Sequence, residues 1–173
     1  QLELGAALLL GLAVTMTPWW VRNWRALDAF VPTTTQTGAS LYDGLHPSAT
    51  GGSDMSFVPQ VKEEFARQTP DPSASEGTDE VALNRYFTSK AIDWAKENPG
   101  RTLQLAGIKF ARMWNIWPNE PSLRSWPLRL VVAAGYLPVL ILGIAGAVWF
   151  SQRGWPYVLC WLPTVYFTLL HMV

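Results

Sequence analysis

The chain has 173 residues, with 13 Lys+Arg against 13 Asp+Glu and so a formal net charge of +0. That balance offers no attraction to a polyanion, so nucleic acid is not an expected partner. One cysteine excludes an internal disulfide, and Cys160 with the distant His46 and His171 forms no metal-ligand cluster, so neither a metal nor a cofactor is expected.

The charge is unevenly placed. Outside the segment 22–129 the only charged residues are Glu3 and Arg153. Three apolar stretches remain, 4–21, 130–152 and 154–173. Each approaches the ~20 residues with which a helix crosses a bilayer core. The mean hydropathy of +0.10 hides them, because the polar segment dilutes the average. Trp19, Trp20, Trp24, Trp126, Trp149 and Trp155 fall at or near the ends of these stretches, where indole rings settle at headgroup level. The expected fold class is therefore all-α integral membrane: three transmembrane helices with a long extracytoplasmic loop containing amphipathic helices.

In chain order, residues 1–21 form the first transmembrane helix, with Pro18 near its exit and Arg22, Asn23, Trp24 and Arg25 at a water interface. No basic region precedes this stretch and the bulky Pro18-Trp19-Trp20 follows, so it does not fit a signal peptide. The chain reads as an internal or C-terminal piece of a longer multi-spanning protein. Residues 22–128 form the loop. Its part 30–52, rich in Thr, Ser and Gly, is expected to be irregular or short-stranded. A short helix is expected over 57–68, then a turn-rich connector over 68–77. Thr78 is the expected N-cap of a helix near 79–97, with Asp79 and Glu80 suiting its positive end. Asn98-Pro99-Gly100 breaks that helix. A second follows near 100–117, with Leu103, Ala106, Phe110, Met113, Trp114 and Trp117 at helical spacing and Arg101, Lys109 and Arg112 at its edges. It suits either the membrane surface or packing on the loop's core or a neighbouring span.

Residues 129–150 form the second span, with a kink expected at Pro138. The turn 151–154 carries Arg153 and no acid, which places it in the cytoplasm and the long loop outside. Residues 155–173 form the third span, opened by Pro156 and kinked at Pro163.

Candidate chemistry concentrates in the loop. Arg22, leaving a span at the water interface, can hold a phosphate through two parallel hydrogen bonds, or it can anchor the helix end by snorkelling. The run 33–44, with Thr35, Tyr42, several hydroxyls and two glycines, suits a sugar or phosphate and equally a tight exposed loop. It has no Walker or dinucleotide glycine pattern. Asp28, Asp43, Asp54 and Glu120 are the carboxylates nearest the interfaces or the glycine-rich turn, whereas Asp71, Glu76, Asp79 and Glu80 look like solvent or cap residues. His46 points to nothing by itself, and His171, flanked by apolar residues, suits packing. No acid lies within a span, which leaves a proton relay or ion path without support.

Pro18-Trp19, Arg22-Asn23-Trp24, Phe30-Val31-Pro32, the Thr/Gly run and Gly44-Leu45-His46-Pro47 with Ala49-Thr50-Gly51 follow one another in an order that resembles bacterial GT-C membrane glycosyltransferases. These are the relatives of protein O-mannosyltransferases and lipid A aminoarabinose transferases. Ala95 to Arg101, then Leu105, Lys109, Met113 and Trp114, are similar too, so the resemblance covers most of 17–117. It implies a bacterial inner-membrane enzyme that moves a sugar from a polyprenyl-phosphate donor to a glycan, lipid or protein acceptor outside the cytoplasm. Arg22 matches the family's arginine after the span and is implied to hold the lipid phosphate or to anchor. Arg22, Asn23, Thr35 and Tyr42 are the substrate-binding candidates. The family's catalytic aspartate lies in the first outer loop, upstream of this segment, so no residue here inherits that role. Asp43 stands where many relatives carry a different residue. A transporter or flippase of lipid-linked glycans would call for ionisable groups in spans and internal repeats, and neither is visible. A non-catalytic membrane scaffold is the third class.

Overall fold

The computed structural model describes residues 2–68, 76–123 and 125–172, without the side chains of residues 2, 76–79 and 121. The described residues contain helices and turns and no strand. The chain divides into two units, one of residues 1–48 and 53–97, the other of 49–52 and 98–173.

The first unit opens with α1, Leu2–Leu27. It continues beyond the expected end of the span, so Arg22 to Arg25 lie on the helix and not after it. Asp28 ends it with a φ of 47°, the left-handed conformation that closes many helices and that Asp tolerates better than most residues. The segment expected to be irregular or short-stranded instead contains α2, Thr37–Gly44. Propensity alone does not favour it, because two glycines and an aspartate sit in eight residues. Its packing on α4, Glu76–Glu97, decides the matter. Gly38 faces the α4 backbone so closely that a Cβ there would run into the Asn84 carbonyl oxygen and stand 2.7 Å from Thr88 Oγ1. The Gly38 N–H then donates to Asn84 Oδ1 at 2.6 Å, which satisfies a first-turn donor of α2 from the neighbouring helix.

A 3-10 turn, Met55–Phe57, leads into α3, Val58–Gln68, which confirms the expected short helix. Its Val61 and Phe65, one turn apart, are buried against α4 together with Val81, Phe87 and Ala91. The connector over 69–75 lies outside the described residues. Because α4 already runs from Glu76, Thr78 lies within the helix and does not cap it.

The second unit holds α5, Pro99–Met113. A single residue, Asn98, separates it from α4, with proline at the first helical position where its missing N–H costs nothing. It ends four residues before the expected Trp117. Asn119 Nδ2 donates to the Arg112 carbonyl at 2.9 Å and Asn115 Oδ1 accepts from Trp117 N, so side-chain amides take over the backbone's partners there. One face of α5 buries Leu105 and packs Ile108 on the 49–52 strap; Gly51, at φ 81°, lies so close that a Cβ would be 2.7 Å from Ile108 Cγ2. Another face meets α8, Trp161–Met172, so α5 packs on an apolar neighbour while Leu103 stays exposed.

Helix α6, Trp126–Ser151, spans about 39 Å at 1.5 Å per residue. None of its residues is buried. The third apolar stretch differs from expectation: it is not one helix over 155–173 but α7, Trp155–Val158, a turn, and α8. The N–H groups of Gly154, Tyr157, Leu159, Cys160 and Leu162 each bond to the carbonyl three residues back. Pro163 has no N–H for the Leu159 carbonyl, which accepts from Leu162 instead. Alone, α8 is about 18 Å long, short of a bilayer's ~30 Å. Among the described residues two helices, Glu3–Leu27 and Trp126–Ser151, are long and apolar enough to cross a membrane, and neither is buried within the protein as the core helix of a water-soluble fold would be.

Candidate functional site

The exit of α1 works as a clamp. Asn23 is buried, 3% exposed; its Nδ2 donates to the Val31 carbonyl at 2.9 Å and its Oδ1 accepts from an Arg22 Nη at 3.2 Å. Trp20 Nε1 donates to the Pro32 carbonyl at 3.1 Å, and its ring meets Phe30 edge to face. The Trp20, Asn23 and Phe30-Val31-Pro32 pattern is thus a fastening of the loop to the helix. Arg22 itself is exposed, with its guanidinium carbon 5.3 Å from the Trp19 ring centre.

Just downstream, the fastened segment forms one wall of an open groove of about 500 Å³. Its polar edge is Thr34, Thr35, Gln36, Lys62, Glu80 and Asn84; its apolar side is Ala39, Met55, Val58, Leu83 and Phe87. Glu80, Leu83, Asn84 and Phe87 share one face of α4 by their spacing. Thr35 Oγ1 lies 3.5 Å from Glu80 Oε2, a long and therefore weak bond. Asn84 uses its Oδ1 on Gly38, and among the described residues its amide N–H groups have no partner, which leaves them for the groove. The volume lies within the range of small-molecule sites, and the mixture of hydroxyls, amides and both charge signs suits a hydroxylated ligand.

Behind the groove lies an aromatic cluster. Tyr42 contacts His46, Phe57 and Phe87 with ring centres 5.4, 5.1 and 5.9 Å apart. His46 Nδ1 accepts from Ser48 N at 3.3 Å, which puts the ring proton on Nε2. Burial lowers the His46 pKa, and the Asp43 and Asp54 carboxylates offset only part of that. Lys90 Nζ bonds Glu64 Oε2 at 2.6 Å and stands 5.8 Å and 5.4 Å from the Tyr42 and Tyr86 ring centres. The hydrogen bonds from Lys90 and Tyr86 lower the Glu64 pKa. Burial pulls the Lys90 pKa down, but the Glu64 bond and the charges of Tyr42, Tyr86 and Glu64 raise it overall. This network joins α3 to α4.

The four binding candidates therefore separate. Thr35 lines the groove. Tyr42 packs against Phe87 beneath it, and Arg22 and Asn23 sit at the clamp, outside the groove lining. Three of the four acids expected near a site have structural duties: Asp43, 9% exposed, accepts from Asp54 N at 2.8 Å, Asp54 accepts from Ser56 N, and Asp28 closes α1, while the Glu120 carboxylate, among the described residues, only accepts from the nearby Ser122 hydroxyl at 3.4 Å. Glu80, which the sequence placed among solvent or cap residues, is the groove's carboxylate. Lys62 carried no sequence signal at all; their shared groove depends on how α3 meets α4. Among the described residues no group of three or more His, Cys, Asp or Glu is placed to hold a metal ion.

Comparison of the chain with protein-family models, curated proteins and solved structures finds no match.

Proposed function

We propose that this chain is part of a bacterial inner-membrane glycosyltransferase that moves a sugar from a polyprenyl-phosphate carrier to an acceptor outside the cytoplasm. The observation that carries the reading is a hydroxyl- and amide-lined groove fastened by Trp20 and Asn23 to the end of an apolar helix of bilayer length. A lipid-linked sugar needs that arrangement, an apolar span for the tail and a polar recess close to its end. In the proposed reaction the acceptor hydroxyl forms a bond to the anomeric carbon as the bond from that carbon to the carrier phosphate breaks. The hydroxyl proton passes to a carboxylate, and the phosphate leaves with the bonding electrons. The resemblance assigns that carboxylate to the first outer loop of the complete enzyme. Arg22 is assigned to the leaving phosphate: it is exposed at the helix end, braced on Trp19, and uses one Nη on Asn23.

The test is a transfer assay on the full-length protein in membranes, with a radiolabelled polyprenyl-phosphate sugar and label followed into lipid, glycan and protein fractions. Protein-dependent loss of label from the carrier is expected. In Arg22→Ala the donor KM should rise roughly tenfold or more, the size of a lost charge-assisted hydrogen bond, while the protein stays folded. No transfer from any of a panel of sugars by folded protein overturns the reading in favour of a transporter or scaffold.

A further inference from the structure

We propose that the groove between the 34–36 segment, α3 and α4 is a saccharide site for a ring that bears a negative charge, with Lys62 as the partner of that charge. Its use as the acceptor site rests on the transfer reading above; the binding itself does not.

The charge argument starts on α3. Lys62 is followed by two acids, and both are engaged elsewhere: Glu63 pairs with Arg67 at 3.6 Å and Glu64 with Lys90 at 2.6 Å. Among the described residues Lys62 has no ion-pair partner, and it does not reach Glu80 across the groove. Among these residues nothing compensates its ammonium at the edge of the recess. Opposite it, among the described residues, Glu80 is held only by the long Thr35 contact and the Asn84 amide N–H groups have no partner.

A ligand that satisfies all of these must present an anion to Lys62, hydroxyl donors to Glu80 and oxygen acceptors to Asn84 and Gln36. A sugar carrying a phosphate or a carboxylate does so. A neutral sugar leaves Lys62 unused, and inorganic phosphate leaves Glu80 facing a like charge. Met55, 43% exposed, and Leu83 give the ring's C–H face an apolar wall. The recess of about 500 Å³ has room for roughly one or two rings.

The experiment is saturation-transfer NMR titration of the full chain in nanodiscs with glucose, glucose 6-phosphate, glucuronic acid, inorganic phosphate and octyl glucosyl phosphate. Glucose 6-phosphate and glucuronic acid should bind about fivefold tighter than glucose, the upper end of what one exposed ion pair supplies. Lys62→Gln should abolish that preference and leave glucose binding unchanged, whereas Lys96→Gln, outside the groove, should change nothing. Glu80→Gln should weaken every sugar. Equal binding of charged and neutral sugars, a preference that survives Lys62→Gln, phosphate binding as tightly as the sugar phosphate, or no sugar binding at all would each overturn the site. Tighter binding of octyl glucosyl phosphate, whose charge lies at the anomeric link as in a carrier, overturns the acceptor assignment and makes the groove a carrier-head site. Each result is independent of whether label leaves the carrier in the transfer assay.

Discussion

Residues 28–97 and helix α6 solve opposite problems. In the loop region apolar side chains turn inward: Val61, Phe65, Phe87 and Ala91 are buried, and polar side chains such as Asn84 and Asp43 knit one element to the next. In α6 nothing is buried, and Val131, Val139 and Leu142 are each about 70% exposed. The first pattern is that of a small water-soluble core. The second is that of a helix long and apolar enough to cross a membrane, a solvent in which every backbone group must bond within the helix. One chain thus uses side-chain identity to specify contacts in one region and only bulk hydropathy in the other.

The largest expected effect follows directly. Phe87→Ala should destabilise the loop region by about 3–5 kcal/mol, the cost of removing a buried phenyl group. Leu142→Ala in α6 should cost less than about 0.5 kcal/mol in a bilayer. Hydrogen exchange in nanodiscs reads both locally; a comparable cost at Leu142 would show that protein, not lipid, covers α6. A smaller contrast lies within α1. Asn23→Leu leaves the Val31 carbonyl without its buried partner and should cost about 1–3 kcal/mol, loosening the 30–36 segment. Thr17→Val removes a hydroxyl that only bonds back to the Ala13 carbonyl and should be within about 0.5 kcal/mol of neutral. Protease sensitivity of the 28–36 segment separates the two variants.

The smallest contrast is in pH. His46 has a lowered folded pKa, so the unfolded chain binds the proton first as pH falls. The stability this contributes is complete above the ordinary value of about 6.5 and is lost as pH drops from there through the folded pKa. His46→Phe should flatten the loop region's stability between about pH 5 and 7. Glu64, also lowered, adds a similar loss at more acidic pH, and Lys90, raised, keeps its contribution until pH climbs through its folded pKa. Helix α6 contains no Asp, Glu, His or Cys, so its protection against exchange, once the intrinsic pH dependence of amide exchange is divided out, should be flat over the same window.

What the residues alone determined is the partition: apolar stretches of about bilayer length, three by the sequence and two of them single helices of that length in the structure, a charged segment after the first, and the α4–α5 break at Asn98-Pro99. Hydropathy windows and proline's missing donor are local properties, so no fold was needed to see them. The tertiary structure decided what local rules misjudge. Helix α2 exists because Gly38 lets it dock on α4, against its own weak propensity. Asn23 proved to be a fastening and Asp43 a backbone acceptor, because only packing reveals which polar groups are already satisfied. The third apolar stretch was long enough to span, yet successive i to i+3 bonds ahead of Pro163 divide it. That Lys62 and Glu80 line one groove was invisible in the sequence, because residues on separate helices share a recess only when those helices pack.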